Sequence, residues 1–386
     1  MRWKTLWIWW MVFFGAVSLK GSDNPWTIGG YVQANPVYIG AELPPPFESV
    51  NWMEYRLQNR LNLRWSPSDQ LDFHLQMRTR FFAGDLVKNI PAYAEGIGRD
   101  NGIVDLSWLV IDRPNWLLHH IPDRLYVQYR KEGWDIRLGR QRVNWGVNMI
   151  TNPNDLFNIY SFYDFDYRER PGSDAIRIQR HLDFGERMEL AIRPARRIEN
   201  SVAAFLYAFR YKDYDLQAIV GYFQNRLTAG GGWAGNLKSA GLKGELMFFK
   251  DLKDNPDRRS FNVVTAVSVD YMFPSGLFFV TEFLYNHDGG QEAFLLLGEN
   301  LSPDNPSFSR YQISAQVVYP LHPLLDLIYA NIYYPDERVV FLSPGLNWSV
   351  AQDLDFQLLG QIFIGSSDSA LSNAANVVTA SLRYNY

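Results

Sequence analysis

A chain of 386 residues that is 47% hydrophobic and 16% aromatic, with no cysteine, has ample apolar side chain and no disulfide to staple it. Its net charge of -4 argues against a nucleic-acid partner. Its mean hydropathy of -0.22 excludes a bundle of membrane helices, which needs runs of about 20 apolar residues. High aromatic content at low mean hydropathy suits a membrane barrel, where apolar and polar residues alternate and aromatic belts mark both interfaces.

In chain order, Arg2 and Lys4 precede an apolar stretch at 6–14 and the small residues Gly15, Ala16 and Ser18, the pattern of an export signal cleaved near 18–21. Residues 1–21 are therefore expected to be a signal peptide and 22–386 a single domain. From Trp26 onward no segment keeps a helical period for three turns, but many of 9 to 14 residues keep a period of two. Across 53–65, Met53, Tyr55, Leu57, Leu61, Leu63 and Trp65 alternate with Glu54, Arg56, Gln58, Arg60, Asn62 and Arg64. After a turn at 66–70, Leu71, Phe73, Leu75, Met77 and Phe81 alternate with Asp72, His74, Gln76, Arg78 and Arg80. The division recurs at 124–130, 187–193, 310–319 and 354–364. Such a sheet has an oily face throughout, and no amphipathic helix is at hand to cover it, so lipid must.

Connections fall into two classes. Short turns occur at 66–70, 274–276 and 319–323, long polar stretches at 35–50, 84–102, 251–259 and 288–307, as a barrel with one turned and one looped end requires. In the last strand Val378, Ala380, Leu382, Tyr384 and Tyr386 alternate with Val377, Thr379, Ser381, Arg383 and Asn385. This resembles the assembly signal of outer-membrane barrels, a terminal aromatic on an alternating strand that the barrel-assembly machinery reads, with Tyr in place of the usual Phe. Counting back from a periplasmic C-terminus yields 18 strands. Residues 225–239, with Gly230, Gly231 and Gly232, read either as an extra strand or as a long turn. The expectation is an all-β transmembrane antiparallel barrel of 16 to 18 strands, wide enough for water and leaving no residues for an N-terminal plug domain.

Of 28 Arg, 21 precede residue 200, against 9 Lys in the whole chain. The polar faces place Arg56, Arg60, Arg64, Arg78, Arg80, Arg124, Arg137, Arg177 and Arg187 on successive strands as pore-lining candidates, a wall that would favour anions. Glu54, Asp72, Asp135, Asp174 and Glu189 share those faces or strands, so the same arginines also read as a salt-bridge ladder; the two readings are compatible. A second constellation spans 138–177, much of which does not alternate and holds Trp145, Phe157, Tyr160, Phe162, Tyr163, Phe165 and Tyr167. A connection this long and aromatic is expected to pack into the barrel as a constriction, with a residue of 152–155 capping a short helix. Trp145, Asn152, Asp155, Phe157, Tyr160 and Tyr163 are its candidates. A hydrophobic plug, or a foot under the periplasmic rim, is the rival reading. The strand count puts this connection on the periplasmic side, provided the Gly230 region is counted correctly.

The run Leu138-Gly139-Arg140-Gln141-Arg142-Val143-Asn144-Trp145-Gly146, with Asn152-Pro153-Asn154-Asp155 and Arg170-Pro171-Gly172-Ser173-Asp174, resembles uncharacterised porin-like outer-membrane families and, loosely, the alginate-export porins. The resemblance implies a β-barrel porin but transfers no substrate and no binding residue. The 6 His form no spaced motif with Ser or acid, no G-x-S-x-G occurs, and the adjacent His119 and His120 would point to opposite faces of a strand. No enzyme, metal or cofactor is expected. The function expected is passive passage of small hydrophilic, preferably anionic, solutes across the bacterial outer membrane. The alternative is a non-conducting barrel in envelope or surface-polysaccharide assembly. Expected partners are outer-membrane lipid, the barrel-assembly machinery and small solutes; a homo-oligomer is compatible, although no segment marks an interface.

Overall fold

The computed structural model describes residues 24–41, 49–100, 102–158, 172–253, 258–289, 301–365, 369, 371 and 375–386; the expected signal peptide lies outside them. The first strands are β1 (Trp26–Ala41), β2 (Val50–Ser68), β3 (Leu71–Gly84), β4 (Trp108–Arg113), β5 (Trp116–Lys131), β6 (Trp134–Gln141), β7 (Ser173–His181) and β8 (Arg187–Arg193). Then come β9 (Val202–Tyr211), β10 (Tyr214–Phe223), β11 (Arg226–Leu237), β12 (Ala240–Asp251), β13 (Phe261–Met272) and β14 (Phe278–Asn286). The last are β15 (Tyr311–His322), β16 (Leu325–Tyr334), β17 (Val339–Ala351), β18 (Leu354–Gly365) and β19 (Asn376–Asn385).

All 19 strands join one antiparallel sheet in which β19 returns to pair with β1. β3 pairs directly with β5, and the short β4 pairs with β5 alone, beside the part that β6 does not reach. The closed wall therefore has 19 − 1 = 18 staves, the even number that an antiparallel barrel needs to close, and within the expected range.

Alternation sets the inside and the outside. Arg60, Gln58 and Glu54 are buried within the wall, whereas Leu57, Leu138, Val220, Val269, Ile313, Leu358 and Leu382 are exposed outside it on well-separated staves. Trp26, Trp65 and Phe73 stack at centroid distances of 5.4 and 4.9 Å near the turned end, as one arc of an aromatic belt. An apolar exterior that encircles a closed sheet has its stable surroundings in a bilayer, where closure also satisfies the backbone groups.

The expected short turns close β2–β3, β13–β14 and β15–β16, all at the end that holds Tyr386. The long connections gather at the opposite end. The first is shorter than the sequence suggests, because β1 runs on through 35–41. The triple-glycine region is a strand, β11, paired on both edges. With that strand counted, 142–172 leaves at the looped end, so its expected periplasmic placement is wrong. Glycine suits β11 because a chain passes inside it: a Cβ at Gly232 would lie 3.0 Å from Asn154 Nδ2 and 3.1 Å from Val147 Cγ2.

Candidate pore lining and constriction

All nine arginines expected in the lumen stand on the inward faces of β2, β3, β5, β6, β7 and β8. Arg60 lies directly across from Arg78, and Arg137 across from Arg177. Like charges so placed repel, so carboxylates must intervene. Asp123 takes both Arg60 (2.5 Å) and Arg78 (3.8 Å). Asp72 takes Arg64 (2.9 Å) and Arg130 (2.5 Å), and Glu189 takes Arg177 (2.6 Å) and Arg187 (3.7 Å). Among the described residues six guanidinium groups share three carboxylates, a surplus of 6 − 3 = 3 positive charges, while Arg56 pairs with Glu54 and Arg137 with Asp135. Arg80 meets His119 Nδ1 at 3.0 Å, and Arg124 donates to the Asp123 carbonyl.

Alternation alone misassigns Asp123. It sits at a bulge, where Gln76 pairs with Arg124 and Met77 with Pro122, so the extra residue turns into the wall beside Arg60. Pro122, which cannot donate to a ladder, was the available signal.

The segment 142–158 folds into the lumen. Val143, Trp145, Leu156 and Phe157 cover an apolar strip of the inner wall that includes Ala191, Leu206, Ile219 and Phe249, with Trp145 and Phe157 edge to face at 5.1 Å. Buried carboxylates of the wall hold its backbone. Glu245 accepts the amides of Val147 (2.5 Å), Asn148 (2.8 Å) and Asn154 (2.8 Å), and Glu282 accepts that of Thr151 (2.9 Å). Glu189 accepts Trp145 Nε1 at 2.7 Å and so joins the segment to the arginine wall. Among the described residues no helix follows a cap at 152–155: the Asp155 amide donates to the Asn152 carbonyl in a turn, and Glu245, rather than a capping side chain, takes the Asn154 amide.

Trp145, Asn152, Asp155 and Phe157 are all buried between segment and wall, and the exposed side carries Asn144 and Met149. Tyr160 and Tyr163 lie outside the described residues. Glu245 and Glu282 went unnoticed in the sequence, although each acid was visible beside apolar inward neighbours, Met247 and Phe249 on β12 and Val280 and Leu284 on β14. Also unforeseen is a second inward segment at 301–310: Leu301 and Phe308 pack on Ile332, Tyr334 and Phe341, and Asp304 pairs with the fully buried Arg226 at 2.8 Å.

The fold has counterparts among solved structures. Acinetobacter baumannii OccAB4 aligns with 93% of this chain and 98% of its own at a TM-score of 0.57 and 8% identity. The outer membrane protein OprD of Pseudomonas aeruginosa aligns over 93% of each chain at 0.57 and 8%, and OccK5 (OpdH) of the same organism over 93% and 97% at 0.57 and 9%. The fold is that of an outer-membrane porin. No protein-family model and no curated protein sequence matches the chain.

In this porin fold a cavity of about 730 Å³ at the looped end is lined in part by Arg78, Arg80, Arg140, Arg193 and Asp123. Arg140, from the Gly139-Arg140-Gln141 run, sits where β5 parts from β6. It donates to Asp174 (2.7 Å), Asp100 (2.9 Å) and the Val104 carbonyl (2.9 Å), strapping the 100–104 connection to β6 and β7. Burial alone would raise the Asp100 carboxyl; the amides of Leu106 and Gly102 and the Arg140 guanidinium outweigh it and hold the group below its ordinary value. A depressed carboxyl stabilises above its unfolded pKa and loses that contribution as pH falls through the folded one. Limited proteolysis of 99–107 is therefore expected to accelerate on acidification below the ordinary carboxylate range. Arg140→Ala, which leaves two carboxylates facing each other, is expected to produce the same acceleration already at neutral pH.

Proposed function

We propose that the protein is an outer-membrane channel for passive passage of small hydrophilic solutes, with anions favoured. The observation that carries this reading is the shared-carboxylate wall, which leaves the lumen side of β2–β8 with a surplus of arginine charge. A positive wall in a low-dielectric barrel concentrates anions and repels cations. The nine arginines are its lining, and 142–158, anchored on β8, β12 and β14, narrows the passage beside them. Residues 1–21 are its export signal, the barrel-assembly machinery reads its last strand, and a homo-oligomer remains open to it. The motif resemblance to porin-like families, and more loosely to alginate-export porins, accords with this assignment.

Purified protein in a planar bilayer under a salt gradient is expected to show stepwise conductance with a reversal potential on the anion side. A cation-side reversal would sink the selectivity. The apolar packing of 142–158 against the inner wall favours a second reading, a non-conducting barrel in envelope or surface-polysaccharide assembly. Absence of conductance steps, both in the native protein and after release of that segment, would establish it.

A further inference from the structure

The barrel closes where β1 meets β19, and this seam is interrupted. β1 pairs with β2 through sixteen residues but with β19 through eight, and the β19 ladder breaks between Ala34–Leu382 and Val37–Thr379, skipping Asn35 and Pro36 without a change of register. Pro36 lies in that break and has no amide to donate. Side chains bridge the seam on the lumen side: Gln33 Nε2 donates to Ser381 Oγ at 2.7 Å, and the Arg383 guanidinium lies 3.8 Å from the centre of the Tyr31 ring.

The outer face has a contact of another kind. Tyr386 exchanges backbone hydrogen bonds with Gly30, each of 3.0 Å, and its ring crosses β1 to reach β2. There its hydroxyl donates to the Arg60 carbonyl at 3.1 Å and accepts from Asn59 Nδ2 at 3.1 Å. Gly30 makes this passage possible, since a Cβ there would lie 2.7 Å from the hydroxyl and 2.0 Å from the Arg60 carbonyl. Asn59 shares the outward face with Leu57, Leu61 and Leu63, an unfavourable place for an amide without a partner. Among the described residues the Tyr386 hydroxyl is its one side-chain partner.

We propose that Gly30, the Arg60 carbonyl and Asn59 form a seat for the Tyr386 ring, and that the filled seat clasps β19, β1 and β2 together and holds the barrel shut where its first and last strands meet. The hydroxyl is the working part. It satisfies a lipid-facing amide that a phenylalanine would leave unpaired, so the tyrosine at this position and Asn59 require each other.

The test is a double-mutant cycle on full-length protein refolded into phosphatidylcholine vesicles, read as the unfolding rate in urea. Tyr386→Phe is expected to unfold about ten-fold faster than the native protein, because one buried hydrogen-bonding partner is removed and the other stays. Tyr386→Phe combined with Asn59→Val is expected to return to within about three-fold of native, since both polar groups are then gone. The seam is located by a disulfide between Val37→Cys and Thr379→Cys, residues opposite each other in β1 and β19. With that bond formed, Tyr386→Phe should no longer change the rate. A Tyr386→Phe rate equal to native, effects of the two substitutions that simply multiply, or a full Tyr386→Phe effect in the cross-linked protein would each overturn the clasp. If Tyr386→Phe alone fails to fold, a folded double variant supports the clasp and an unfolded one overturns it.

Discussion

Glu245→Ala is expected to widen the channel, raising single-channel conductance at least two-fold while the barrel stays folded. Glu245 is fully buried and accepts three backbone amides from the in-folded segment, those of Val147, Asn148 and Asn154. With the carboxylate gone, each amide is left in a dry contact at a cost of about 1–3 kcal/mol. The total of roughly 3–9 kcal/mol exceeds what a connecting segment commonly contributes to its own docking. The ladder bonds of β12 to β11 and β13 use backbone groups alone and survive the substitution. Larger conductance steps in planar bilayers, with an unchanged shift between folded and unfolded bands on electrophoresis, would be the signature. Unchanged steps alongside unchanged protease resistance of 142–158 would show that Glu245 does not hold the segment.

Asp123→Ala is expected to be the most damaging single change in the wall. Its carboxylate is buried between Arg60 and Arg78, which stand opposite each other on β2 and β3. Arg60 is 1% exposed and cannot swing into water. Removing the carboxylate they share leaves two guanidinium groups repelling across one pair of strands, and breaking a buried ion pair from one side costs about 3–5 kcal/mol. The midpoint of thermal unfolding, followed by the loss of heat-modifiable migration, should fall sharply. Asp123→Asn, which keeps the shape and accepts one hydrogen bond, should fall less. Equal midpoints for both variants and native protein would show that the pair contributes nothing net.

Much of the architecture was legible in the sequence because a period of two has one physical meaning per face. Met53 to Trp65 points alternately to lipid and lumen, and the structure places every one of those side chains as the alternation requires. The nine arginines were legible for the same reason. The exceptions share a cause. Asp123 is turned inward by a bulge after Pro122, and 35–41 continues a strand that its proline and glycine had disguised as loop. The glycine run of β11 carries no alternation to read, and its Gly232 makes room for Asn154 and Val147. Its uncertain status carried the aromatic connection to the wrong end of the barrel.

The constriction shows where local pattern stops being informative. Aromatic residues in a long connection announced that 142–158 would bury itself, but its anchors, Glu189, Glu245 and Glu282, stand on β8, β12 and β14, far away in the chain. The same holds for Asp304 against Arg226 and for Tyr386 against Asn59. By itself the sequence determined that this chain is a membrane barrel, roughly how many staves it has and which face of each strand meets water, because those depend on neighbours one or two residues apart. Only the tertiary structure decided which arginines share a carboxylate, which acids grip the inward segment and what fastens the seam, because those contacts depend on strand register, on the in-folding of 142–158 and, at the seam, on closure of the sheet.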